Sequence, residues 1–173
     1  MDSLVKTQNA RFELNRNRGR RDRSQTMTQT FRKILCPLDF DESSMAALEV
    51  ACKVAAQNDA SLYIMHVVAM PPHASEMPPE ALKPNPVWER DAKLKLDHLA
   101  GERIPRGIRW QTLTRTGFAA AEIVAAAKDS NVDLIVMATH GRSRSALAHF
   151  FLGSVAERVV RSSICAVLVV PPT

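Results

Sequence analysis

Aromatic residues make up only 5% of the chain, with one tyrosine and two tryptophans, so any core it forms must be aliphatic. No apolar run approaches the ~20 residues of a bilayer span, and the polar N-terminus lacks the apolar stretch of a secretory signal. These absences predict a cytoplasmic protein without a membrane partner. Cys36, Cys52 and Cys165 form no CxxC pair and stand at no metal-ligand spacing to a histidine, so they read as reduced core residues. His66, His73, His98 and His149 form neither an HxxxH nor an HExxH pair, and no metal site is expected. Also missing are a GxGxxG after the first strand, a GxxxxGK[ST] loop and a kinase-like set, which argues against a dehydrogenase or a P-loop NTPase. A phosphoacceptor receiver domain would suit the alternation of elements described below. Against it, the first strand is not followed by the adjacent acid pair of such a Mg²⁺ site, and no aspartate ends the third.

Positive charge is plentiful but local. Residues 1–30 hold Lys6, Arg11, Arg16, Arg18, Arg20, Arg21 and Arg23 against Asp2, Glu13 and Asp22, a net +4 that leaves +1 of the chain's +5 for everything after Thr30. This stretch has few apolar groups and no sustained period, and is expected to be a disordered basic arm. Met27, just before the first strand, is a second candidate start of translation. A nucleic-acid tether is disfavoured because no aromatic is interleaved with the arginines to stack on bases. The remaining stretch, 31–173, has the length of one domain.

From Phe31 onward apolar runs alternate with helical periods. Ile34-Leu-Cys36 predicts a first strand, the period Ala47, Val50, Ala51, Val54 a first helix, and Leu62-Tyr-Ile-Met65 a second strand. A loop then holds six of the ten prolines, Pro71, Pro72, Pro78, Pro79, Pro84 and Pro86. Trp88, Ala92, Leu96 and Leu99 space a second helix ending near Gly101. Ile108-Arg-Trp-Gln-Thr112 alternates like a half-wet edge strand. Ala120, Ile123, Val124 and Ala127 mark a third helix, Leu134 to Ala138 a central strand, Leu152, Val155, Ala156, Val159 and Val160 a fourth helix, and Ala166 to Val170 a last strand. The expected fold is α/β, an open five-stranded parallel sheet of order 3-2-1-4-5 with helices on both faces. In that order the chain reverses between strands one and four, and ligands of such sheets bind at the carboxyl ends of the strands flanking the reversal.

Those ends are Cys36-Pro-Leu-Asp39 and Met137-Ala-Thr-His-Gly141. Asp39 is placed to accept hydrogen bonds from a base or ribose, or equally to cap the first helix, with Asp41 and Ser43 as rival caps. Gly141, Gly153 and Ser154 suit a phosphate cradle, since glycine permits close backbone approach and a helix start offers free N–H groups. Ser154-Val-Ala-Glu157 also reads as a capping box, and the two readings are compatible. His140 has no nucleophile or carboxylate tied to it by spacing and reads as a positioning residue, while Arg142 and Arg144 are the cations available to an anion.

Taken together, Lys33-Ile-Leu-Cys-Pro-Leu-Asp-Phe-Asp-Glu-Ser43, Met65-His-Val-Val68, Val136-Met-Ala-Thr-His-Gly-Arg-Ser143, Leu152-Gly-Ser-Val-Ala-Glu-Arg-Val159 and Cys165-Ala-Val-Leu-Val-Val170 closely resemble the universal stress protein family, over roughly Phe31 to Val170. The resemblance implies a Rossmann-like universal stress protein fold, a cytoplasmic homodimer joined through the last strand, and a stress-response role. One branch binds ATP, with Mg²⁺, through a G-x₂-G-x₉-G-[ST] signature; another binds no nucleotide. Carried over, the signature falls on Ala138, Gly141, Gly153 and Ser154, with His140, Arg142 and Val155 beside it. Asp39, Val67 and Met137 would line the adenosine pocket next to Pro37 and Leu38. Two departures stand out: alanine replaces the first glycine at Ala138, and eleven residues separate Gly141 from Gly153, most simply by insertion of Arg144-Ser145, with Ala146 following where many relatives have glycine.

The expectation is therefore a non-enzymatic, ATP-binding sensor or regulator. The alternative is a homodimeric protein-interaction module of the same fold, with an unidentified protein partner and no nucleotide.

Overall fold

Four runs rich in aliphatic residues and one rich in threonine become five parallel strands: β1 (Lys33–Pro37), β2 (Ser61–Ala69), β3 (Trp110–Gly117), β4 (Leu134–Ala138) and β5 (Ala166–Val170), β3 being the threonine-rich one. The structure is a computed structural model that describes residues 30–70, 77, 85–139 and 153–171. The chain divides into two units, Met1–Thr30 and Phe31–Thr173. All of the expected basic arm except Thr30, and most of the proline-rich loop, lie outside the described residues. The helices between the strands are α1 (Glu42–Asn58), α2 (Pro86–Arg103), α3 (Ala119–Asp129) and α4 (Ser154–Ser162). The sheet order is β3-β2-β1-β4-β5, as the sequence predicts.

Alternation along β1 and β4 explains why they are central. Ile34, Cys36, Leu134 and Val136 pack into one layer with Leu48, Ala51 and Ala55 of α1 and Leu96 and Ala100 of α2. Leu35, Ile135 and Met137 face the other way, onto Ile123, Ala126 and Ala127 of α3 and Ala156 and Val159 of α4. A strand buried on both faces reads as a continuous apolar run because neither face meets water. Burying each such Leu or Ile contributes ~1.5–3 kcal/mol. The two cysteines on the first layer are thiols in the core, and burial pushes the Cys52 pKa up to about 11. The Cys36 thiol is pushed up further by the same cause.

Several expected boundaries move. The third strand starts at Trp110, two residues later than expected, and runs on to Gly117, paired throughout with β2 from Leu62↔Trp110 to Ala69↔Gly117. Thr112, Thr114 and Thr116 alternate with Leu113 and Arg115, so the apolar pattern is weak, and the ladder to β2 sets the strand's length. Pro86 opens α2 instead of belonging to a loop; a proline is tolerated at a first helical position, whose N–H has no acceptor in the helix. The helix passes through Gly101 to Arg103. Trp88 does not join the core, being 63% exposed, because Leu96 and Ala100 in the second half of α2 carry its contact with the sheet. No helix among the described residues is long and apolar enough to cross a membrane.

Candidate functional site

The reversal between β1 and β4 leaves a cavity of about 300 Å³ at the carboxyl ends of the strands. Its wall includes Pro37, Leu38 and Asp39 after β1, Val67 on β2, Met137 and Ala138 at the end of β4, and Gly153, Ser154 and Val155 at the start of α4. All sequence-predicted site residues that fall among the described residues thus share one wall. His140, Gly141 and Arg142 lie outside the described residues.

The local chemistry of Asp39 resolves its two readings. The N-cap of α1 is Asp41, whose Oδ1 accepts the Ser44 N–H at 2.7 Å. Asp39 is therefore not the cap. Among the described backbone donors its half-buried carboxylate accepts only a long 3.3 Å bond from the Asp41 N–H. Burial, and then contact with the Asp41 carboxyl, raise its pKa above the ordinary aspartate range, partly offset by hydrogen bonding to Ser44 and to the Asp41 backbone. A carboxylate held this way gains from a ligand hydroxyl or amine that donates to it.

At the opposite end the expected capping box does not form. The N-cap of α4 is Gly153, in extended backbone (φ −60, ψ 152), so Ser154 is already the first helical residue. Its side chain is then out of place to close the first turn, and Glu157 pairs with Arg161 at 3.1 Å. Among the described residues no side-chain hydrogen bond caps α4. The same holds for α3, which starts after Phe118 and brings its first residue, Ala119, to the wall. The first N–H groups of a helix have no acceptor within it, and the start of α4, with Gly153, Ser154 and Val155, lies on the cavity wall.

The long spacing between Gly141 and Gly153 does not pull the start of α4 away from β4. The Thr139 carbonyl accepts the Gly153 N–H at 2.8 Å, and the Thr139 N–H donates to Val170 on β5 at 2.9 Å. The first of these bonds pins the strand end to the helix start. At φ −60 Gly153 has a backbone conformation open to any L-residue.

Sequence reasoning missed Ser44, His66, Ala119, Ile123, Thr139 and Ala156, which complete the wall. His66 immediately precedes Val67, but its spacing to the other histidines speaks only to metal binding. Its Nδ1–H donates to the Leu38 carbonyl at 2.7 Å, which fixes the tautomer because a carbonyl can only accept. Ala119 and Ile123 arrive by the crossover from edge strand β3 to central β4, visible only once the topology is known. Among the described residues no group of three or more His, Cys, Asp or Glu could hold a metal ion, and the described wall contains no lysine or arginine.

A model of the universal stress protein family matches residues 30–171. A universal stress protein of Methanocaldococcus jannaschii, MJ0531, is 35% identical over 147 residues, covering 81% of this chain and 82% of its own. The solved structure of MJ0577 from the same organism is 30% identical, with a TM-score of 0.68 over 83% of this chain and 98% of that one. A universal stress protein solved in complex with cAMP shares the fold at 23% identity, with a TM-score of 0.59 over 83% of this chain and 99% of its own. With a family model matched over residues 30–171 and a relative 35% identical over most of both chains, the chain belongs to the universal stress protein family.

Proposed function

We propose that the crevice binds an adenine nucleotide, with the adenosine end toward Asp39 and Val67 and the phosphates toward Gly153, Ser154 and Val155. The observation that carries this reading is one cavity with two complementary poles: a carboxylate released from capping duty and a helix start that no described side chain closes. Its volume lies at the lower bound of small-molecule pockets, ~300–1,000 Å³. That another member of the fold holds cAMP supports the same ligand class here.

Magnitudes show why both poles are needed. An exposed helix start holds an anion by ~0.3–1 kcal/mol, and by ~2 kcal/mol when partly buried, against about 8 kcal/mol for micromolar affinity. The adenosine end must supply most of the difference by burying the base against Val67, Met137 and Ile123, with Asp39 fixing its orientation. ATP with Mg²⁺ is the proposed form; the cations the sequence offers a triphosphate, Arg142 and Arg144, lie outside the described residues. The role is that of a sensor or regulator in a stress response and not an enzyme: no described wall residue is placed as a base near the phosphate end, so hydrolysis is expected to be slow.

The assembly we propose is a homodimer through β5. Among the described residues that strand is paired on one side only, with β4, and Leu168 within it and Ile164 just before it are 38% and 69% exposed. An aliphatic edge without charge is a template for another strand. Sedimentation at micromolar concentration should give a dimer, and a clean monomer would remove this part of the reading.

Alanine at Ala138 and the longer spacing after Gly141 favour a second reading, a protein-interaction module of the same fold whose crevice takes no nucleotide. Mass spectrometry of small molecules released on denaturation, followed by calorimetric titration with Mg-ATP, separates the two. Released adenine nucleotide or micromolar binding supports the first. No nucleotide and no heat at millimolar ATP would leave the second.

A further inference from the structure

Three non-glycine residues among those described have positive φ: Phe40 at 65°, Asp59 at 49° and Asn131 at 51°. Asp59 is the C-cap of α1 and Asn131 follows the C-cap of α3, where a left-handed residue commonly ends a helix. Phe40 has no such role. It is a bulky side chain in a disfavoured conformation, between the site residue Asp39 and the cap Asp41, and such a residue persists only where its surroundings over-determine it.

The surroundings are supplied largely by β2. Leu38 N–H donates to the Met65 carbonyl at 2.7 Å, extending the ladder past the end of β1. The next residue along β2, His66, donates from Nδ1 to the Leu38 carbonyl at 2.7 Å. The imidazole also lies against the Phe40 ring, centroids 4.4 Å apart and planes 38° apart, and Lys95 Nζ of α2 sits 4.1 Å from that ring's centroid. Both neighbours of Asp39 are therefore held by one imidazole, while Asp39's own bond to the Asp41 N–H is long, at 3.3 Å.

We infer that His66 is the positioning residue for the nucleoside end of the crevice: through the Leu38 carbonyl and the Phe40 ring it holds the turn that aims Asp39 into the cavity. The ligand side of this inference rests on the proposed nucleotide binding; the hold on the turn does not. The donor must sit at the Nδ1 position, so Asn, whose amide nitrogen lies near that point, replaces part of the function, and Leu replaces none.

The test uses the full chain with His66→Leu and His66→Asn, each made alone and together with Asp39→Ala. Amide exchange by NMR reads the turn and calorimetry with Mg-ATP reads the site. In His66→Leu the Asp41 amide should exchange about tenfold faster, the equivalent of one net hydrogen bond, while the Leu35 amide in central β1 is unchanged. Affinity should fall about tenfold in the same variant, by less in His66→Asn, and scarcely at all when Asp39 is already alanine. Unchanged Asp41 exchange would overturn the inference, as would an equal loss of affinity with and without Asp39, which would mean that His66 acts on the ligand directly. If His66→Leu fails to fold, His66→Asn carries the same comparison. If the unmodified chain binds no nucleotide, the binding reading fails, and Asp41 exchange alone decides whether His66 holds the turn.

Discussion

Helices α1 and α2 begin on side chains that close their first turn, Asp41 accepting from Ser44 N–H at 2.7 Å and Asn85 from Val87 N–H at 2.9 Å. Helices α3 and α4, on the other face of the sheet, begin on Phe118 and Gly153, which provide no such acceptor. The difference follows the cavity. The first residues of α3 and α4, Ala119 and Ser154, lie on its wall, whereas α1 reaches it through Ser44 only after its own turn has been closed. A cap contributes ~0.5–2 kcal/mol relative to alanine, so a helix start without one gives up local stability. On the proposed reading, the start of α4 is where the phosphate of the ligand would sit.

The sharpest way to break the comparison is to give α4 the cap it lacks. Gly153→Asp supplies an acceptor for the first turn and is expected to raise thermal stability by the few tenths of a kcal/mol that separate Asp from Gly at an N-cap. The same carboxylate would repel a phosphate: like charges about 4 Å apart cost ~4 kcal/mol at an effective dielectric of 20, and after solvent screening an affinity loss of about a hundredfold is expected in a calorimetric titration. A variant that is more stable and still binds Mg-ATP as tightly would place the phosphates elsewhere.

The converse is to remove a cap where one exists. Asp41→Ala and Asn85→Ala should each cost ~0.5–2 kcal/mol, a fall of roughly 2–4 °C in Tm per kcal/mol for a chain of this size. They should differ in function. Asp41→Ala also releases the turn that follows Asp39, which Asp41 closes by accepting the Ser44 N–H, and should weaken nucleotide binding, while Asn85→Ala, remote from the cavity wall, should leave it unchanged.

Asp39 gives the smallest effect and the one that depends on pH. Its folded pKa is raised, so between the ordinary aspartate value of about 3.9 and the raised one the folded state binds more proton than the unfolded state. Stability relative to Asp39→Asn therefore falls as pH rises through that window, and is constant above it. Paired unfolding curves across the acid range should show this slope in the unmodified chain and not in the variant. At neutral pH Asp39→Asn should be as stable or slightly more stable, yet bind nucleotide less well.

The fold was largely legible because its central strands are buried on both faces: Ile34 to Cys36 and Leu134 to Val136 leave no polar position to blur the pattern. The third strand was misplaced for the opposite reason. At the sheet edge its threonines satisfy the backbone ladder without an apolar period, so its end at Gly117 is fixed by pairing with Ala69. At the site, composition identified the residue types but not their duties. Asp39, Asp41 and Ser43 are equivalent as caps in sequence, and the chain's path chose Asp41. Ser154 and Glu157 have the spacing of a capping box, but the helix starts one residue too early for it. His66 was hidden because its acceptor, Leu38, is distant in sequence and is reached only through the β1–β2 pairing.

The most direct test of the two-pole account is a calorimetric titration of the same protein with adenosine, AMP and Mg-ATP in turn. Affinity should be weakest for adenosine and gain on the order of tenfold or more when phosphate is present, the ~1–2 kcal/mol a partly buried helix start contributes. Adenosine binding as tightly as Mg-ATP would contradict the claim that the open start of α4 receives the phosphate.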